Sequence, residues 1–448
     1  MKFPTPPPNP HRVFAAAYKK DAKRVGTFFA YANVVDQEGR YLSWDELRFK
    51  KPPGDLSTEE WWAVTRMARA AASQEITLSD KSGVKFTFCE PPPLKAILRN
   101  LDMNAGGALA SDATGLSVGE GRLHLARSLA EEPFASSFIE GAATTRQIAK
   151  KLILEGRQPR TKDERMVLNN YRAMQFVRAH RSDSLTLSML LELHRIVTAE
   201  TLDNPADAGR VRTTDDIRVV DDTNNEILFQ PPLAADLPER LNRLIEFANK
   251  KPDANNWIHP LAIAFTLHFM LSYEHPFVDG NGRVARALFY WAALKEGYWL
   301  IEYVSISSVI AESIIQYGKS FLHTETDGGD LTYFLIYHAR ILDTAISRLM
   351  DYVEKKRKEV AAFEKRIGDK HRPDAFNHRQ SWLLNELARG RLSRVTVDEH
   401  RERNAVSYLT ARNDLEALVK ARCLKRDRIG RTVIYQPVRD LIKVLTAA

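Results

Sequence analysis

The sequence predicts a mainly α-helical protein, and three observations carry that reading. Apolar residues recur at helical spacing over long stretches, as between Ser184 and Val197, where Leu187, Leu190, Leu191 and His194 share a face. Ser57 precedes Glu60 by three, and Thr161 precedes Glu164 by three, the reciprocal pattern that satisfies the free N–H groups of a helix start. The β-like runs, in contrast, are short and bounded by turn residues. At 448 residues the chain exceeds one hydrophobic core. Three parts are expected: an N-terminal helical extension over 1–120, a central core over 121–370 and a small C-terminal domain over 371–448.

Composition narrows the class. Hydrophobic residues make up 44% and charged residues 27%, as in an ordinary globular protein. The two cysteines, Cys89 and Cys423, lack metal-type spacing and are expected to be reduced and structural. Prolines fill the N-terminus where a signal peptide would be apolar, and no apolar run approaches the roughly 20 residues of a membrane span. The cytoplasm is the expected compartment. The net charge of +8 is uneven: residues 375–448 hold 15 Lys/Arg against 8 Asp/Glu, a net of +7 that points to an anionic partner for that segment.

Taken in order, residues 1 to about 12 form a proline-rich lead-in without expected regular structure. A helix runs from Ser57 to about Ala72, with Trp61 and Trp62 assigned to core packing rather than to a partner surface. Lys85 to Phe88 alternates as a strand, which Pro91–Pro93 end. Ser136 and Glu140 are four apart and share a helix face, and Gly141 permits the helix to end there. Helices follow from Thr161 toward His180 and from Ser184 to Val197. Ile217–Val220 and Ile227–Gln230 then read as a hairpin turning near Asn224-Asn225. Pro260 to Tyr273 reads as a buried helix that His275-Pro276 must stop. His194, His259 and His268 have no second ligand at helical spacing and are read as structural.

The densest chemistry lies in His275-Pro276-Phe277-Val278-Asp279-Gly280-Asn281-Gly282-Arg283-Val284-Ala285-Arg286. A second helix, Arg283 to Leu294, starts inside it. Gly280 and Gly282 permit a tight turn that exposes backbone N–H groups at the positive end of that helix, an anion site. Arg283 and Arg286 lie three apart and can reach separate phosphates. Asp279 suits Mg²⁺ beside those phosphates, and His275 is the base for a substrate hydroxyl.

These twelve residues resemble the signature of the Fic (filamentation-induced-by-cAMP) family, H-P-F-x-D/E-G-N-G-R-x-x-R, at every defined position. The resemblance implies a mainly helical Fic-type core that transfers AMP from ATP to a hydroxyl side chain of a protein. On that basis His275 deprotonates the target hydroxyl and Asp279 holds Mg²⁺. Gly280, Asn281, Gly282 and Arg283 bind phosphates, and Arg286 pairs with the γ-phosphate. Ser136, Glu140 and Gly141 resemble the inhibitory motif S/T-x-x-x-E-G/N of the class whose inhibitory helix, here around 133–145, precedes the core. There the glutamate pairs with the second arginine, here Arg286. The hairpin bearing Ile217, Val219 and Leu228 resembles the flap that lays a target segment across the site as an added strand. Tyr317 lies where relatives often place a tyrosine near the base.

After the signature, Ser308–Leu322 and Leu331 to about Arg366 read as helices split by Asp327-Gly328-Gly329-Asp330. Three short helices follow, Arg379–Ala388, Val397–Arg403 and Val406–Arg422, then two strands over Leu424–Pro437 around Ile429-Gly430. This order resembles a winged helix-turn-helix. Tyr408, Thr410, Ala411 and Arg412 would face a DNA groove, with Arg426, Arg428 and Arg431 on phosphates. The sequence expectation is thus a protein adenylyltransferase restrained by Glu140, using ATP and Mg²⁺. Its target is a Tyr, Thr or Ser hydroxyl of a protein, the chain itself included, and a homodimer is a candidate assembly. Removal of AMP by the same site, and transcriptional regulation through the last domain, stay open as alternatives.

Overall fold

The structure, a computed structural model, describes residues 3–106, 128–220, 226–251, 253–369, 376–388, 390, 392–429, 432–441 and 444. The chain divides into two compact units. One comprises the described residues up to 106 and Leu129–Ile346, the other Ser128 and the described residues from Ser347 on. Both are mainly helical, and the strands among the described residues form three two-stranded antiparallel sheets.

The N-terminal part contains α1 (Pro10–Lys20), α2 (Ala22–Phe28), α3 (Trp44–Leu47), α4 (Thr58–Ala72), β1 (Gln74–Ser79), β2 (Lys85–Phe88) and α5 (Pro92–Ala105). Helices α1 and α5 were not expected, for one shared reason. Their prolines start them: Pro10 and Pro92 occupy the first helical position, where a missing N–H costs nothing. Ser57 and Glu60 close the reciprocal capping box of α4. Trp62 is fully buried against Trp44, as the core reading requires. Tyr41 and Arg66 reach Asp330 at 2.6 and 3.3 Å, so this part is bound to the central helices through buried polar contacts.

The central helices are α6 (Glu131–Ile139), α7 (Arg146–Leu154), α8 (Lys162–Ala179), α9 (Leu187–Thr198), α10 (Leu237–Asn249), α11 (Pro260–Glu274) and α12 (Asn281–Lys295). Thr161 caps α8 by accepting the Glu164 N–H, but the Glu164 carboxylate turns to the Arg160 N–H and to Arg157, so only half of the expected box forms. Helix α11 is apolar around its whole girth and buried on nearly every side, with α12 packed against it. The hairpin joins β3 (Val219–Val220) to β4 (Ile227–Phe229), pairing Val219 with Phe229 and Val220 with Ile227. Its turn at Asn224-Asn225 lies outside the described residues. The single helix expected over Ser308–Leu322 is two, α13 (Ile306–Ile310) and α14 (Ile314–Thr326), because Ser313 leaves the helical conformation between them. Helix α15 (Thr332–Asp369) follows.

The second unit contains α16 (His378–Ala388), α17 (Val397–Asn404), α18 (Tyr408–Lys420), β5 (Leu424–Ile429) and β6 (Thr432–Pro437). Leu383, Leu387, Leu415, Leu418 and Tyr435 form its core, and Val395 exchanges backbone hydrogen bonds with Tyr435. Asp414 is buried there and receives Asn377, Arg379 and His400, which hold its carboxyl below the usual range despite burial. Ala411 corrects the sequence reading. It is fully buried in this core and does not face outward, because α18 turns that face onto α16.

Candidate active site

Helix α11 stops at His275, whose φ of 45° and ψ of 56° are left-handed. That conformation costs a side-chain-bearing residue about 1–2 kcal/mol, and the surrounding contacts over-determine it. The His275 N–H donates to Leu271 O, Pro276 follows, and Arg212 Nε donates to His275 O at 2.9 Å. His275 Nδ1 lies 3.2 Å from Ser272 O. A carbonyl only accepts, so Nδ1 carries the proton and Nε2 keeps its lone pair. Burial lowers the pKa of His275, opposed by its contact with Ser272 and by the Glu140 charge. Burial thus favours the neutral imidazole, with the lone pair on Nε2.

The loop after it is held from both sides. Asn281 Oδ1 accepts the Phe277 N–H at 2.9 Å, and its Nδ2 donates to Phe277 O at 2.8 Å. Its side chain closes the loop, so what it can offer an anion is its backbone N–H. His194 stacks on Phe277 at 3.8 Å, donates through Nε2 to Asp279 O and accepts the Gly209 N–H at Nδ1. Burial pushes its pKa down to about 4, in keeping with a structural, neutral histidine. Gly280 is left-handed (φ 83°), and a Cβ there would meet Thr198 Cγ2 at 2.8 Å. Glycine is required twice over.

No side chain caps α12, so its first N–H groups face the loop. Asp279, about half-exposed, accepts the Gly280 N–H and pairs with Arg283 Nη2 at 3.2 Å. Arg283 Nη1 donates to Val197 O, while its buried Nε has no hydrogen-bond partner among the described residues. Arg286 is fully buried and donates through Nε to Ser136 Oγ at 2.8 Å. Its Nη2 reaches Ser136 O at 3.0 Å and Glu140 Oε1 at 2.9 Å. A Cβ built on Gly282 would collide with Glu140 Oε1. A carboxylate therefore occupies the space that this glycine opens at the positive end of α12.

Helix α6 delivers that carboxylate. Gly141 ends it left-handed (φ 87°), with its N–H on Phe138 O and the Ala142 N–H on Ser137 O, a Schellman close. At the other end Glu132 accepts from Ser305 Oγ, the Ser307 N–H and Ser307 Oγ at 2.6–3.0 Å. Asn170 donates to Ser137 Oγ at 2.9 Å. Glu132 and Asn170 were missed, since neither sits in a local pattern.

Two arginines missed by the sequence reading link the motif to its surroundings. Arg212 binds His275 O, Thr214 O and Pro232 O, tying the histidine to both ends of the hairpin. Arg240 forms a two-pronged pair with Glu274 at 2.5 and 2.9 Å. Apart from Asp215, three residues on from Arg212, their partners are main-chain carbonyls and a residue 34 positions away, which no local pattern announces. Of the expected flap residues, Val219 and Leu228 lie in the strands; Ile217 lies just before β3 and accepts from Gln230 Nε2 at 3.3 Å. The Tyr317 hydroxyl lies 2.9 Å from His268 Nε2, within reach of Arg286, and burial pushes its pKa up to about 12.

The other expected residues belong to the second unit. Tyr408 and Arg412 are exposed on α18, and Arg428 is exposed on β5. The Thr410 hydroxyl lies 2.9 Å from Ser407 Oγ, and Arg426 lies 3.4 Å from Glu416. Arg431 lies outside the described residues.

Residues 184–293 match the family described as Fic/DOC. The "Protein adenylyltransferase Fic" of Nematostella vectensis is 30% identical over 195 residues, covering 41% of this chain and 42% of the relative. "Protein adenylyltransferase fic-1" of Caenorhabditis elegans is 30% identical over 166 residues, covering 37% of this chain and 29% of the relative. The chain thus matches less than half the length of these relatives. Among solved structures, a Fic family protein from Desulfovibrio desulfuricans aligns over 78% of this chain and 97% of its own, with 18% identity and a TM-score of 0.48. The signature and the sequence match coincide on α9 to α12: residues 184–293 form a Fic domain.

Proposed function

We propose that the chain is a protein adenylyltransferase that transfers AMP from ATP to a hydroxyl side chain of a protein, restrained by Glu140. The observation that carries this reading is the Glu140 carboxylate on Arg286, above Gly282 and the uncapped start of α12. An anion already sits where a phosphate oxygen would bind, and the names of the relatives give the donor class. A left-handed Gly280, the buried Nε of Arg283 that has no partner among the described residues, and the absence of a side chain at Gly282 suit a triphosphate. Asp279 is the residue that would hold Mg²⁺. A single exposed carboxylate fits that ion, which takes its other ligands from phosphates and water, and among the described residues no cluster of three acidic, histidine or cysteine side chains offers a closed site. When bound, Mg²⁺ would supply charge neutralisation on the phosphates.

In the proposed reaction the target hydroxyl oxygen attacks the α-phosphorus and gives its proton to His275 Nε2. A new P–O bond forms, the bond from the α-phosphorus to the bridging oxygen breaks, and pyrophosphate leaves. Arg286 orients the γ-phosphate once Glu140 has withdrawn, and the β3–β4 flap holds the target as an added strand. The expected setting is the cytoplasm; no helix among the described residues is long and apolar enough to cross a membrane. The test is label transfer from α-labelled ATP to protein. Glu140→Gly should raise it and His275→Ala should abolish it; labelling that survives the histidine change unaltered removes the mechanism.

A second role is proposed for the C-terminal unit, DNA binding as a winged helix. What favours it is the exposed set of Tyr408, Arg412 and Arg428 on α18 and β5, within a segment of net charge +7. Salt-dependent, sequence-specific binding of duplex DNA by the full chain, lost in Arg412→Ala, is the expected result. Binding that is equal on all sequences would remove the regulatory reading.

A further inference from the structure

The tip of the β1–β2 hairpin is built rigidly. Asp80 Oδ1 accepts the N–H groups of Ser82 and Val84 at 2.8 and 2.9 Å, the Asp80 N–H donates back to Val84 O, and Gly83 takes a left-handed φ of 89°. Nothing in the tip's own fold needs Lys81, an exposed residue. Yet Lys81 reaches across 149 positions to donate from Nζ to Gln230 O at 2.9 Å, with its ammonium 5.3 Å over the ring of Phe229. Gln230 lies at the base of the flap, and its Nε2 is 3.4 Å from Asp215 O and 3.3 Å from Ile217 O, joining the two flap arms. One lysine therefore grips the residue that staples the flap.

The same tip is fixed to the catalytic motif. The Lys81 N–H donates to Tyr273 Oη at 3.0 Å, and Tyr273 packs on Phe229 at 4.8 Å and on Phe86 of β2 at 5.3 Å. Arg240 donates to Ser79 O and Asp80 O at 2.7 and 3.1 Å while pairing with Glu274, the neighbour of His275. The hairpin touches the flap through Lys81 and the histidine's helix through Lys81 and Phe86, while Arg240 of α10 bridges Ser79 and Asp80 to Glu274. Its position sets the gap between them.

We propose that the β1–β2 hairpin is the second wall of the target-docking site, and that Lys81 is a positioning residue that holds the flap at working distance from His275. The proposal rests on the reading of β3–β4 as the target-docking flap. It assigns to the N-terminal part a share in presenting the protein substrate, with no part in binding the nucleotide. An ammonium on a carbonyl at an exposed site is a modest contact, so the effect should be modest and confined to the protein substrate.

The test uses the full chain in the Glu140→Gly background, with self-labelling by α-labelled ATP, the dissociation constant of ATP, and amide exchange over residues 217–220 and 227–230. Lys81→Ala should lower self-labelling about three- to tenfold, leave the ATP dissociation constant unchanged and speed flap exchange. Lys81→Arg, which still reaches a carbonyl, should restore both. Ile227→Asp, at an exposed flap position, is the control for the flap itself. If it lowers labelling while Lys81→Ala does not, the flap reading stands and the role of the hairpin is overturned. If Ile227→Asp changes nothing, the flap reading falls and takes this proposal with it. A Lys81→Ala loss matched by weaker ATP binding also overturns it.

Discussion

Replacing Glu140 by glutamine and by glycine separates charge from bulk at the contested arginine. Arg286 is buried, with its guanidinium 2.9 Å from Glu140 Oε1 and 2.8–3.0 Å from the Ser136 side chain and carbonyl. Glutamine keeps the shape and an acceptor oxygen but removes the charge. Charge-assisted hydrogen bonds are about twice as strong as neutral ones, a difference of about 1–1.5 kcal/mol, so the competition with a triphosphate weakens about tenfold. Glycine removes the acceptor as well and clears the space above Gly282, and a further factor of about ten is expected. The backbone cost is small, because Glu140 is the residue that ends α6 rather than one inside it. Titration calorimetry at fixed ionic strength should rank ATP affinity as parent, glutamine, glycine from weakest to tightest. AMP, which lacks the γ-phosphate, should gain little. If glutamine matched the parent, steric exclusion rather than charge would be the restraint, and if it matched glycine, charge alone would be. Three equal affinities would refute the contest for Arg286 altogether.

Gly282→Ala puts a methyl group against Glu140 and within 3.1 Å of Arg286 Nη1. It should displace Glu140 yet block the phosphate, so the Glu140→Gly, Gly282→Ala double variant should fall at least tenfold below Glu140→Gly alone in label transfer. Burial lowers the pKa of His275, so the neutral base persists below the ordinary histidine range. The pH profile of label transfer should rise through a midpoint under about 6.5 and then stay flat toward neutrality. His194 and His338 are pushed down to about 4 and about 3 by burial, with His268 also lowered. The unfolded chain therefore binds more protons than the fold below about pH 6.5. Stability present above that pH should be lost as pH falls, at up to about 1.4 kcal/mol per pH unit per histidine, and denaturant midpoints from pH 7 to 5 would check it.

Some elements could be read directly from the chain. Ser57 with Glu60 marked the start of α4, and the apolar girth of Pro260–Glu274 marked a buried helix. Gly280 and Gly282 stood where the backbone turns and where a carboxylate crowds it. Other elements were hidden by residue types with two meanings. Proline ends a helix or begins one, and Pro10 and Pro92 begin theirs. Ala411 was placed on an outward face by resemblance to a winged helix-turn-helix, but only the packing of α18 in its own unit decides which face is inward.

The sequence by itself determined the chemistry of the loop from His275 to Arg286. Turn residues, a base and two cations at fixed spacing act through backbone conformations and helix periods that hold in any surroundings. Tertiary structure alone decided what that chemistry meets. Arg212 reaches His275 from 63 positions away and Lys81 reaches Gln230 from 149, with no local pattern to announce either; Glu140, 146 positions from Arg286, was matched to it by the family resemblance and not by any local rule. Such contacts depend on how distant helices and hairpins are brought together by burial of their apolar faces, and burial is indifferent to which polar residues it carries along.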